Sequence, residues 1–211
     1  MKYPQQLITM VNNRSQGFHL EGLVNGQGNP NANLMLIGEA PGRTEIESNI
    51  PFSGRAGKEL ITALHGIGLE REDVYITSTV RSRPYAIKRN REHSTIKYPN
   101  RKPLKKEILA HAPLLDWEIQ HVNPQIIITL GSTALQRILG SKFTISDSHG
   151  KVINHAILQL DSSSNTYKWT ENMYTIIPLY HPAAIFYNRK LTSVIDSDWK
   201  VVEKCLNKYC I

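Results

Sequence analysis

Cysteine is almost missing from this chain: Cys205 and Cys210, near the C-terminal end, are its two thiols. Two thiols form no disulfide framework and cannot alone close a tetrahedral metal site, so a reducing, cytoplasmic setting is expected. No apolar run approaches the ~18 residues that a membrane span needs. The opening MKYPQQLITMVNNRSQ lacks the apolar stretch of a signal peptide. Neither a GxxxxGK[ST] string nor a spaced GxGxxG is present, which leaves a phosphate-loop reading of the glycines weak. Internal repeats and low-complexity tails are also absent.

The composition that remains is ordinary. With 211 residues, 40% hydrophobic and 20% charged, the chain suits one compact domain over residues 1–211, large enough to bury a core. Its net charge of +7 is unevenly placed. Between Arg81 and Lys106 stand ten Lys and Arg against one acid, Glu92, leaving 15 basic and 17 acidic residues elsewhere. A local basic block suits a polyanion, nucleic acid being the commonest. The competing reading is a solvated surface loop.

Four short runs rich in β-branched residues, Leu34–Ile37, Val74–Thr77, Ile126–Leu130 and Thr175–Leu179, read as buried parallel strands. Helical spacing lies between them. Ala56–Ile67 places Leu60, Ile61, Leu64 and Ile67 on one side and stops at Gly68. Leu104–Val122 stops at Asn123-Pro124, and Ser132–Leu139 stops at Gly140; Val194–Cys205 closes the chain. Strands alternating with helices predict an α/β fold with a mainly parallel sheet. Arg83–Pro103, basic and containing three prolines, reads as a long loop. Lys151–Thr175 reads as a hairpin with a polar tip at 161–165.

In open α/β sheets ligands bind beyond the carboxyl ends of the strands. Gly38-Glu39-Ala40-Pro41-Gly42 follows the first run, Ser78 and Thr79 the second, Gly131 and Ser132 the third, and Tyr180-His181-Pro182 the fourth. Glu39 and His181 therefore meet at one edge as a candidate acid/base or electrostatic pair. Taken singly, a glutamate there is more often a solvated or capping residue, and His-Pro more often a turn.

Together, GEAPG (38–42), PFSGRAG (51–57), VYITSTVRSRP (74–84), IIITLG (126–131) and LYHPAAIF (179–186) resemble the uracil-DNA glycosylase superfamily, most closely its family 4 type. The order and spacing match over roughly residues 20–190. The resemblance implies a three-layer α/β/α sandwich around a four-stranded, mainly parallel sheet. It also implies an enzyme of base-excision repair that flips deoxyuridine, or another deaminated base, out of DNA and hydrolyses its N-glycosidic bond. Glu39 would orient or activate the attacking water, and His181 would hydrogen-bond uracil O2. Gly38, Ala40, Pro41 and Gly42 would frame the pocket, and Phe52 would stack on the flipped base. Pro182, Ala183, Ala184 and Ile185 match the loop that enters the minor groove, with Ile185 as the apolar wedge. Arg43, Arg55, Arg81 and Arg83, with the rest of the basic block, would contact phosphates. A monomer is expected, with DNA as its partner.

Three departures from the family pattern stand out. Family 4 carries an iron–sulfur cluster on four cysteines. Here the N-terminal pair would fall just before His19–Leu23, the third place is Ser82 and the fourth is His111, and no cysteine stands at any of them. No metal or other cofactor is therefore expected. Ser78 replaces the asparagine whose amide reads the uracil edge, which loosens base selection. Finally, Lys88-Arg89-Asn90-Arg91-Glu92-His93 is loosely similar to a loop whose histidine binds uracil-DNA covalently in cluster-bearing relatives. The alternatives to a glycosylase are thus a non-catalytic or covalent uracil-DNA binding module, and an α/β enzyme of free nucleotides.

Overall fold

The computed structural model describes residues 1–90 and 95–209, the side chains of Asn90 and Tyr209 excepted. The chain opens with α1 (Gln5–Arg14), followed by β1 (Leu20–Glu21), β2 (Gln27–Gly28) and β3 (Leu34–Gly38). Next come α2 (Arg43–Ser48), α3 (Arg55–His65), β4 (Tyr75–Ser78), β5 (Arg83–Pro84), β6 (Lys88–Asn90) and β7 (Thr95–Lys97). The remainder is α4 (Lys105–Val122), β8 (Ile126–Leu130), α5 (Ser132–Leu139), α6 (Ile145–Ser148), β9 (Ile153–Asp161), β10 (Thr166–Leu179) and α7 (Thr192–Tyr209).

The main sheet has the order β2-β4-β3-β8-β10-β9. Its four middle strands are parallel, as the four apolar runs predict, and antiparallel β2 and β9 close the two edges. Alternate residues of each middle strand face opposite helical layers. Leu34, Leu36, Ile126 and Ile128 pack with Leu60 and Leu64 of α3 and Trp199 and Val202 of α7. Met35, Ile37 and Ile127 pack with Leu115 and Ile119 of α4 and Leu135 and Ile138 of α5. Burial on both faces is why these strands read as unbroken apolar runs. Asn123 (φ 48°) and Gly140 (φ 83°) turn left-handed where α4 and α5 were expected to stop.

The 83–103 segment differs from the expected loop. Arg83 and Pro84 pair with β1, and β6 pairs with β7 as a small separate ribbon. Its side chains at Lys88, Arg89, Ile96 and Lys97 are exposed, so no buried stripe marks these strands in the sequence. His93 lies outside the described residues.

Two expected phosphate contacts are corrected by the packing. Arg81 is 1% exposed and forms an ion pair with the equally buried Glu118. Glu118 also accepts from Tyr3 Oη (2.5 Å), Tyr75 Oη (3.0 Å) and Thr77 Oγ1 (2.6 Å). Arg83 is 3% exposed and pairs with Glu21. Both guanidiniums are taken up inside the fold, because a buried charge persists only when paired and hydrogen-bonded.

Candidate active site

The carboxyl ends of the parallel strands open into a cleft of about 530 Å³. Glu39, Ala40, Pro41 and Gly42 after β3, Phe52 and Arg55 from the next motif, Ser78 ending β4, and His181 after β10 all line it. The register sets Gly38 directly beside Ser78. Residues from four of the five motifs therefore meet at one place, and the helix that follows the fifth supplies a direct support. Thr133, two residues into the helix after β8, donates its hydroxyl to Glu39 Oε2 and fixes that carboxylate.

Glu45 ties two motif loops together. One carboxylate oxygen accepts from Gly42 N (3.0 Å) and the other from Gly54 N (2.8 Å). Phe52, between those loops, holds a left-handed φ of 55°. Its carbonyl comes so close to Gly57 that a Cβ there would lie 1.8 Å from the oxygen, and a Cβ on Gly38 would strike the Phe52 ring at 2.5 Å. Left-handed backbone at a non-glycine residue costs free energy and persists only where surroundings enforce it. Here both glycines of closest approach are present, so the ring can come close against the end of β3. It stacks with His181, ring centroids 5.8 Å apart and planes 29° from parallel.

His181 Nδ1 accepts from Ala183 N at 3.2 Å. Burial holds its pKa down to about 4, so the ring is neutral at ordinary pH. With Nδ1 an acceptor, the proton sits on Nε2, which is a donor with no acceptor among the described residues. Ser78 is 6% exposed at the cleft floor.

Residues 182–186 form a short 3₁₀ turn. Pro182 is buried and starts the turn, and Ala183 and Ala184 are half-buried. Ile185 turns inward, lining a small cavity of about 80 Å³ with Leu60, Ile195 and Trp199. The exposed apolar surface of this loop comes instead from the next two residues, Phe186 at 38% and Tyr187 at 91%. Arg55 lies over the Phe186 ring, 4.4 Å from its centroid. Arg43 and Arg55 are exposed on the rim, with Lys102 beside them.

The sequence reading missed Glu45, Thr133 and the Asn100–Lys102 wall. Glu45 carried a readable signal, since a glutamate three residues after a helix start commonly reaches back to it. Thr133 and the wall carried none, because their partners are remote in sequence.

The places of the family's cluster do not fit iron and sulfide. Ser82 is buried, and His111 is engaged on both ring nitrogens, accepting from Arg81 N (3.2 Å) and lying 3.4 Å from Ser15 Oγ. Among the described residues no three His, Cys, Asp or Glu side chains are grouped to hold a metal. Cys205 belongs to the α7 side of the core.

A carboxylate, a neutral imidazole and an aromatic ring gathered around one strand-end cleft of an α/β sandwich form an enzyme-like site. The family model described as Uracil DNA glycosylase superfamily matches residues 25–205, and the chain belongs to that superfamily. A Type-4 uracil-DNA glycosylase of Saccharolobus solfataricus is 37% identical over 187 residues, 87% of this chain and 76% of the relative. Those of Sulfurisphaera tokodaii (35% over 185 residues, 86% and 73%) and Archaeoglobus fulgidus (33% over 189 residues, 88% and 82%) are similar.

Proposed function

We propose that the protein is a uracil-DNA glycosylase, hydrolysing the N-glycosidic bond of deoxyuridine in DNA during base-excision repair. The observation that carries this reading is the meeting of Glu39, His181 and Phe52 in one cleft of a chain that belongs to this superfamily. The glycosidic bond is inaccessible in stacked duplex, so the nucleotide must leave the helix first. Phe52 then stacks on the base. As C1′–N1 breaks, its electron pair moves onto uracil, and the Nε2–H of neutral His181 donates to the developing negative charge at O2. Glu39, held by Thr133, orients the water that bonds to C1′ and stabilises positive charge on the sugar.

Arg43, Arg55 and Lys102 on the rim, with exposed Lys88, Arg89, Lys97, Lys105 and Lys106, supply phosphate contacts without sequence preference. The wedge role is assigned to Phe186 and Tyr187 in place of Ile185. The enzyme works as a cytoplasmic monomer without a metal cluster. Iron analysis checks the last point: the expected result is no stoichiometric iron and no absorbance near ~400 nm, which a thiolate-bound cluster would give.

The deciding experiment is single-turnover excision from a U:G duplex. Glu39→Gln and His181→Ala are each expected to slow it by ~10²-fold or more while DNA affinity stays within a few-fold, as removal of a transition-state contact does. Unchanged rates in both variants refute the mechanism. DNA binding without release of uracil by the unmodified protein leaves the binding-module alternative standing.

A further inference from the structure

Beside the base-excision cleft lies a second one of about 480 Å³, and Arg43 lines both. The 98–102 segment walls both as well: Tyr98 faces the second cleft, and Asn100, Arg101 and Lys102 face the first.

That wall is built from inside the fold. The buried Arg83 donates to Asn100 Oδ1 (2.5 Å), to the Tyr98 carbonyl and to Glu21. Ala86 N donates to Pro99 O (2.9 Å) and Arg101 N to Pro84 O (3.1 Å). Arg101 grips Glu107 and also donates to Tyr85 O (3.0 Å). On this frame the Tyr98 ring meets Tyr85 edge-on at 5.6 Å, and Tyr85 stacks on His19 at 5.5 Å. The ladder is fixed from behind, yet Tyr98 remains 43% exposed. The hydrophobic core takes no part in holding it.

Charge in this cleft is mixed. Arg83 is neutralised by Glu21, Glu47 is a further carboxylate, and Arg43 is the exposed cation. A bare phosphate gains little from such a lining. A flat base stacked on tyrosine, with Arg43 at the phosphate leading to it, is well matched. We propose that this cleft receives a second base of the substrate strand, adjacent to the uracil and unstacked from its neighbours, held against Tyr98. The proposal rests on the base-excision reading of the first cleft. It makes the enzyme one that engages at least two consecutive nucleotides in an opened strand, and an unpaired strand offers that second base at least cost.

The test uses single-stranded oligonucleotides with one uracil, whose 5′ or 3′ neighbour is either a normal base or a base-less tetrahydrofuran. KM and kcat are measured for the unmodified protein, Tyr98→Ala and Tyr98→Phe. Removing the neighbouring base on one side is expected to raise KM of the unmodified protein about tenfold, with kcat within twofold. Tyr98→Ala is expected to show the same raised KM on the full substrate and no further loss on the base-less one. Tyr98→Phe, which keeps the ring, is expected to match the unmodified protein.

Equal KM for base and base-less neighbours on both sides overturns the proposal. So does an equal loss by Tyr98→Ala on full and base-less substrates, which marks a purely structural wall. Excision from the substrate lacking both neighbouring bases needs only the first cleft, so its persistence separates failure of the second site from failure of the glycosylase reading. No uracil release from any oligonucleotide overturns both.

Discussion

Ser78 and Arg81 are three positions apart and show how differently single residues yield to inspection. Ser78 ends a strand, lines the cleft and is almost buried, so its position is what a strand followed by a ligand-facing residue predicts. Its chemistry departs from what the resemblance implies at this place, a base-reading amide, and offers one short hydroxyl instead. A buried polar edge left unpaired costs ~1–3 kcal/mol, equivalent to ~10- to 100-fold in rate or discrimination. Ser78→Asn is therefore expected to sharpen preference for uracil over hypoxanthine about tenfold, and Ser78→Ala to leave it as weak or weaker. Comparing kcat/KM of the three proteins on matched duplexes checks this; the same base preference in all three removes Ser78 from base reading. Arg81 taught the opposite lesson. Within a run of basic residues it looks like a phosphate contact, yet its partner Glu118 stands 37 positions away. A charge's fate is set by its spatial partner, and no local pattern announces one so remote.

At the scale of elements, the legible parts were those whose signal is local and repeated. The four parallel strands, α3, α4, α5 and the closing helix all announce themselves by apolar spacing, and α4 and α5 also by their stop residues; α3 ends at Gly66, two residues before the expected Gly68, and the last helix runs past Cys205 to Tyr209. The strands β1, β2, β5, β6 and β7 do not: each is two or three residues long and lacks a buried alternating face. The loop after His181 was legible in position and misread in orientation. Family likeness assigns the wedge to Ile185, whereas the turn that Pro182 initiates directs Ile185 toward α3 and α7 and leaves Tyr187 outside. An inserted side chain replaces the vacated stack only if it projects from the surface. Tyr187→Ala is accordingly expected to lower kcat/KM on a U:G duplex by ~10-fold and on single-stranded uracil DNA by less than twofold, since the single strand has no stack to fill. Ile185→Ala is expected to lower thermal stability by trimming the packing around that small cavity, with the duplex-to-single-strand ratio unchanged. The reverse pattern restores the wedge to Ile185.

For the whole molecule, two neutral histidines couple stability to acid. Burial and the neighbouring Arg81 charge depress the His111 pKa to about 3, and burial depresses that of His181 to about 4, against an ordinary 6.5. Between those values and 6.5 the unfolded chain binds protons that the folded one refuses, so stability falls as pH drops through this window. Each histidine contributes a slope of at most about 1.4 kcal/mol per pH unit. His181 contributes less than His111, because its pKa is depressed less and its window is narrower. Asp198, whose pKa burial raises, acts in the opposite sense. The net expectation is a denaturation midpoint that declines from pH 6.5 toward pH 4. His111→Asn separates the two histidines. Its amide oxygen can still accept from Arg81 N–H but does not titrate, so the variant loses some stability at pH 7 yet has a markedly flatter decline below 6.5. Urea unfolding at half-unit pH intervals gives both slopes. A variant as steep as the unmodified protein places the acid sensitivity elsewhere in the fold.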